Sequence, residues 1–125
     1  MTVFDTSAVL AIIYDEEGRA VAQERLDDSA ISTVNVAEVL RDMMLTSGDD
    51  VETAYELFNR LPLTIHSPDL SQAKRVAELK AIKGLSLGDC FCIALGEARR
   101  SPLITGDQQW GRLAADIRVP VEMIR

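Results

Sequence analysis

Polar and apolar positions along the chain follow two rhythms in turn. Short apolar runs bounded by polar or turn-forming residues recur at Val3-Phe4, at Ala30-Ile31-Ser32-Thr33, at Leu63-Thr64-Ile65-His66, at Leu103-Ile104-Thr105 and from Ile117 to Val121. Runs of this length read as strands. Longer stretches between them place apolar residues three and four apart, which predicts helices from Ser7 to Tyr14, Arg19 to Leu26, Val34 to Leu45, Val51 to Arg60 and Ser86 to Arg100. A further helix starts at Ser67-Pro68-Asp69 and runs to about Lys83 before Gly84, with Leu70, Ala73, Val76, Ala77 and Ile82 on its apolar side. A short one spans Gln108 to Ala115.

Strands alternating with helices imply an α/β fold. A parallel sheet of about five strands would be covered by helices on both faces as a three-layer α/β/α sandwich, because parallel neighbours need crossover connections. Strand order is not encoded in this local pattern. The composition, 47% hydrophobic and 26% charged with no long polar tract, suits one globular domain over residues 1–125. No apolar run reaches the ~18 residues of a membrane span. The start Met1-Thr2-Val3-Phe4-Asp5 has no basic leader, so a cytoplasmic location and no membrane partner are expected.

Charge narrows the chemistry. A formal net charge of −7 excludes holding nucleic acid by a broadly basic surface and favours a basic protein partner. Cys90 and Cys92 stand in a C-x-C spacing within an apolar helix, which suits buried reduced thiols better than a disulfide or a zinc site. The single histidine, His66, reads as a structural loop residue, and one histidine leaves no good Ser-His-Asp arrangement.

Four acids remain conspicuous: Asp5, Glu38, Asp89 and Asp107, each near a strand end or in the first turns of a helix. Singly, each has a structural explanation. Asp5 and Asp107 could cap the following helices, and Glu38 after Asn35 and Asp89 after Ser86 have the spacing of capping boxes. Together they point further, because a parallel sheet brings strand ends and helix starts to one edge. Clustered carboxylates repel one another and call for a cation. An all-oxygen donor set without paired His or Cys suits Mg2+ or Mn2+. Such an ion lowers the pKa of a water and offsets charge developing on a phosphodiester, which is nuclease chemistry. Lys80, Lys83, Arg99, Arg100 and Arg112 are candidate substrate contacts, though each also suits a solvated helix end.

The stretches Val-Phe-Asp-Thr-Ser-Ala at the start, Asn-Val-Ala-Glu with Glu38, Leu-Ser-Leu-Gly-Asp with Asp89 and Ile-Thr-Gly-Asp with Asp107 resemble the PIN-domain ribonucleases of the VapC toxin type, over essentially the whole chain. The resemblance implies a Mg2+- or Mn2+-dependent endoribonuclease acting as a toxin on RNA, with a small antitoxin as partner and a homodimer as assembly. By similarity Asp5, Glu38, Asp89 and Asp107 form the catalytic and metal-binding quartet, and Thr6, Ser7, Asn35 and Thr105 are supporting polar groups. Some relatives carry another acid where this chain has Gln109, so a five-acid site is not expected. Two other readings are weighed against it. An aspartyl-phosphate phosphotransfer or phosphatase domain would use Asp5 as nucleophile, but no second aspartate stands at Thr6 or Ser7. A catalytically inactive, partner-binding module fits poorly with acids at all four positions.

Overall fold

A computed structural model describes residues 1–125. Its sheet has five parallel strands, β1 (Thr2–Phe4), β2 (Ser29–Ser32), β3 (Leu63–His66), β4 (Leu103–Thr105) and β5 (Val121–Met123), in the order β3-β2-β1-β4-β5. Seven helices connect them: α1 (Thr6–Ile13), α2 (Arg19–Glu24), α3 (Thr33–Ser47), α4 (Val51–Phe58), α5 (Leu70–Leu79), α6 (Leu87–Ala98) and α7 (Trp110–Leu113), the last continued by a 3-10 turn over Ala114–Asp116. The first strand is central, and Val3 lies opposite both Ala30 of β2 and Leu103 of β4.

The period of two along a strand divides the core into two layers. Phe4, Ile31 and Ile104 face one way and pack with residues of α1 to α4 in a cluster that includes Val9, Ile12, Val39 and Phe58. Val3, Ala30 and Leu103 face the other way and meet Leu79, Ile93, Leu95 and Trp110. Because both faces of the three central strands are covered, those strands carry no exposed residue. The sandwich and its five strands agree with the expectation from the sequence.

Two local expectations fail. The last strand is Val121–Met123, not Ile117 to Val121. Pairing begins at Pro120, whose carbonyl accepts from Leu103 N–H at 2.9 Å, and proline has no amide to extend the ladder backwards, while Ile117 is buried as an anchor beneath the α7 connection. The helix α5 stops at Leu79, well before Gly84, and buries Gln72, Val76 and Leu79, so that of the predicted stripe Val76 alone is buried within the helix. Leu70 is 71% exposed, and Ala73 and Ala77 face solvent as well. Alanine methyls bury too little area to fix a helix face, so the larger Val76 and Leu79 set its rotation. Lys80 then donates to the carbonyl of Leu85 at 2.6 Å, closing the loop that leads into α6. None of the helices is long and apolar enough to cross a membrane.

Candidate active site

The carboxyl ends of β1, β2 and β4 deliver the acidic residues. Asp5 follows β1 directly and stands at the N-cap position of α1, yet its side chain makes no capping bond. It is 3% exposed, and one oxygen, Oδ2, accepts from the hydroxyls of Ser7 at 2.7 Å and Thr105 at 2.8 Å. Those hydroxyls lie 3.2 Å apart, and Ser7 Oγ also accepts from Gly106 N–H at 2.8 Å. The turn after β4 is thus tied to the turn after β1.

Glu38 is not part of a capping box with Asn35. The N-cap of α3 is Ser32, whose hydroxyl accepts from Val34 N–H, and Asn35 lies inside the helix. There, fully buried, its Nδ2 donates to Glu38 Oε1 at 2.8 Å, to Thr6 Oγ1 at 3.3 Å and to the carbonyl of Gly88 at 3.1 Å. The Thr6 hydroxyl adds a bond to the same Glu38 oxygen at 2.7 Å. Asn35 Oδ1 is buried without a partner.

Asp89 does complete the predicted capping box of α6. Ser86 Oγ accepts from Asp89 N–H at 3.1 Å, and Asp89 Oδ2 accepts from Ser86 N–H at 2.9 Å. Asp107 is half-buried and does not cap α7, whose N-cap position is Gln109; its Oδ1 accepts from Gln109 N–H at 3.0 Å in a local turn.

Sequence reasoning overlooked one residue of this constellation, Gly88. A Cβ there would run into the carboxylate of Glu38, so glycine is what leaves that carboxylate room to lie against the start of α6. The signal was the Gly-Asp pair opening α6, but a glycine in a first helical turn does not announce a neighbour 50 positions away.

The electrostatics bind the four acids into one system. Burial, and after it the charge of Asp89, raise the Asp5 carboxyl to about 6 against the hydrogen bonds that lower it. Asp89 is also raised, first by burial, with Asp107 and Glu38 adding repulsion against the lowering bonds from Ser86. The buried Cys92 thiol behind them is pushed well up by burial and by the charges of Asp5, Asp89 and Glu38. No lysine or arginine forms an ion pair with any of the four.

In this side-chain arrangement no three of the acids form a ready ligand cluster. The chemistry of the donor set nonetheless fits a hard divalent cation: the atoms are all carboxylate oxygens, each acid keeps an oxygen outside its bonds to Ser, Thr, Asn or backbone, and their mutual repulsion has no internal counter-charge. His66 ends β3 and is engaged by Arg99, with Nδ1 2.8 Å from Arg99 Nη2, and burial and the Arg99 charge lower its pKa. Among the basic candidates, Lys83 and Arg112 line a cavity of about 310 Å3 with Gln109, two residues beyond Asp107. Arg100 lines a different cavity.

Comparison with known proteins gives this geometry a context. The chain is 26% identical over 113 residues to a protein named Ribonuclease VapC from Mycolicibacterium smegmatis, with 82% of this chain and 88% of that one covered. A toxin-antitoxin complex from Klebsiella pneumoniae shares the fold with a TM-score of 0.72 at 21% identity, over 100% of this chain and 98% of the other. VapBC-1 of nontypeable Haemophilus influenzae does so with a TM-score of 0.73 at 13% identity, covering 98% and 97%. The PIN domain family matches residues 2–116, nearly the full length and all four acids, and the chain therefore belongs to the PIN-domain family.

Proposed function

We propose that this chain is a divalent-metal-dependent endoribonuclease, the toxin of a toxin–antitoxin pair acting in the cytoplasm. The observation that carries the reading is the set of four carboxylates, each oriented by hydroxyl, amide or backbone donors and none paired with a basic residue. Asp5, Asp89 and Asp107 would hold Mg2+ or Mn2+, with Glu38 completing the site. The ion supplies a lowered water pKa and positive charge opposite the phosphoryl oxygens.

The residues of the chain do the positioning. Ser7 and Thr105 pin Oδ2 of Asp5, and Oδ1 would be the oxygen available to hold such an ion. Thr6 and Asn35 pin Oε1 of Glu38, so Oε2 is the atom that accepts a proton from, or orients, the attacking water. Asp89 is fixed in direction by the Ser86 cap. Groups held in this way lose little freedom on reaching the reactive geometry. Lys83 and Arg112, which line one cavity with Gln109, are the candidate contacts to neighbouring phosphates.

We also propose a small antitoxin as partner and a homodimer as assembly. Support comes from the acidic surface and from exposed apolar side chains on α3 and α4, Met44, Leu45, Val51 and Tyr55. The deciding experiment is induced expression of the wild type and Asp5→Asn, with mapping of RNA ends. Growth arrest and new ends with the wild type alone are expected; no effect from either would overturn the toxin reading.

A further inference from the structure

The carboxyl end of β5 reaches the same edge as the acids. Ile124 N–H still donates to the carbonyl of Thr105 at 3.0 Å, so the pairing with β4 runs on to the residue before Arg125, while β4 leads into Gly106 and Asp107. Arg125 is thereby set beside the turn that carries one of the four acids.

The backbone of that turn makes no demand for glycine, because Gly106 is not among the residues with a positive φ. What excludes a side chain is the Arg125 guanidinium. A Cβ on Gly106 would stand 3.0 Å from its Cζ and Nη2 and 3.1 Å from its Nε, closer than a Cβ ordinarily comes to a neighbour. Three atoms of one planar group at nearly equal distance mean that its flat face lies against the glycine.

Another element holds the guanidinium in that pose. Nη1 donates to the carbonyl of Glu17 at 3.0 Å, the Glu16 carboxylate lies 3.7 Å away, and the side chain is 26% exposed. Gly18 lets the turn between α1 and α2 supply these partners, since a Cβ there would strike Ile124. One arginine thus clamps the end of β5, the turn before α2 and the turn after β4.

The last of these carries the acidic site. Gly106 N–H donates to Ser7 Oγ, which donates to Asp5 Oδ2, and Asp107 N–H donates to Thr105 Oγ1, which donates to the same oxygen. A shift of Gly106 therefore moves the supports of Asp5 and the backbone of Asp107 together.

We propose that Arg125 is a positioning residue of the acidic site: its guanidinium, seated on Gly106, fixes the Thr105–Asp107 turn and through it the oxygens that Asp5 and Asp107 offer a divalent cation. It forms an ion pair with neither acid and acts through the backbone. The inference rests on the metal-dependent reading above. Loss of such an outer partner typically costs about 10- to 100-fold in metal affinity or activity.

The test uses the full chain, with Mn2+ binding read by calorimetry, the thermal midpoint in EDTA, and RNA cleavage resolved into kcat and KM. Arg125→Ala should bind Mn2+ about ten-fold more weakly and lose kcat by a similar factor, with KM for RNA unchanged. Gly106→Ala should move the same way by less, since its methyl only nudges the guanidinium aside. In the double variant that methyl no longer meets the guanidinium and should cost nothing beyond Arg125→Ala. Arg125→Lys keeps the charge and the reach to Glu17 without the flat face; it should hold the parent's midpoint in EDTA and still bind Mn2+ several-fold more weakly. A lower midpoint in Arg125→Ala with unchanged Mn2+ affinity and kcat makes Arg125 a clamp on the fold alone and overturns the inference. So does a rise in KM by itself, full Mn2+ affinity in the lysine variant, or additive losses in the double variant. Failure of the underlying reading shows in the parent instead: a parent that binds no Mn2+ removes both, and in one that binds without cleaving the variants' Mn2+ affinities decide.

Discussion

Asp5 shows how a single side chain can serve chemistry at the expense of the fold. Two hydroxyls hold it and burial opposes its charge, so its folded-state value near 6 lies above the ordinary 3.8. The folded protein therefore binds this proton more tightly than the unfolded chain. Its penalty is absent below about pH 3.8 and grows as pH rises through about 6, reaching on the order of 3 kcal/mol in metal-free protein. Asp5→Asn should flatten the midpoint-versus-pH profile of the chelated protein between pH 4 and 7 and melt above the parent at neutral pH. It should also lose most of the rise that magnesium produces, and an undiminished magnesium response in the variant would sink the shared-site model. Gly88→Ala makes a different kind of demand, since the new methyl displaces the Glu38 carboxylate without touching the core. A folded protein with RNA cleavage down about 100-fold is expected, the usual cost of misplacing a group by about an ångström; unchanged rates with an unchanged melt would remove Gly88 from the site. The four acids were legible in the sequence because position after a strand or at a helix start is a local property. Gly88 was not, because what makes it necessary is a carboxylate on another helix.

At the scale of elements, α6 couples the two ends of the molecule. It begins with the Ser86–Asp89 capping box, crosses the central strands, and ends on the Arg75–Glu97 pair that ties it to α5. Glu97 is one of the few carboxylates held low: burial would raise it, but the Arg75 hydrogen bond, the Arg118 amide and both guanidinium charges outweigh that. Its contribution is present above the ordinary value of 4.5 and fades as pH falls through the folded value. The Glu97 side chain is 8% exposed, so Arg75→Ala strands a nearly buried charge and should cost about 3 kcal/mol in chemical denaturation at pH 7. Adding Glu97→Gln should recover part of the loss; an equal or greater loss in the double variant would mean that Arg75 acts through packing. Gly96, the residue before Glu97, admits Leu103 of β4, which a Cβ would strike. The alternation of these elements was legible from periodicity. The face of α5 was not, since its alanines mark no direction and the pull of Glu97 on Arg75 comes from another helix. The start of β5 was missed because Ile117 and Val119 alternate like a strand while Pro120 delays the pairing.

For the molecule as a whole, the charge of −7 predicts how substrate is engaged. With four unpaired acids at the edge, RNA binding should depend on the divalent ion and not on a broad basic surface. Fluorescence anisotropy with a non-cleavable RNA should show affinity at least about ten-fold weaker in EDTA than in magnesium, with a shallow dependence on monovalent salt. Metal-independent binding with a steep salt slope would contradict this. The layered class was readable from the sequence, but the strand order was not, because nothing local states that β1 lies between β2 and β4.

That central place of β1 has a consequence for synthesis. Thr105 donates to Asp5 across 100 positions, and Val3 pairs with Leu103. Contacts of such long sequence separation are slow to form and cannot form at all until both partners exist. In synthesis Asp5 is made 100 residues before the hydroxyl of Thr105 that pins it, and the strand that flanks it is equally late. Over that interval Asp5 has neither its Thr105 bond nor its β4 neighbour, so the acidic site cannot assemble before both have been made.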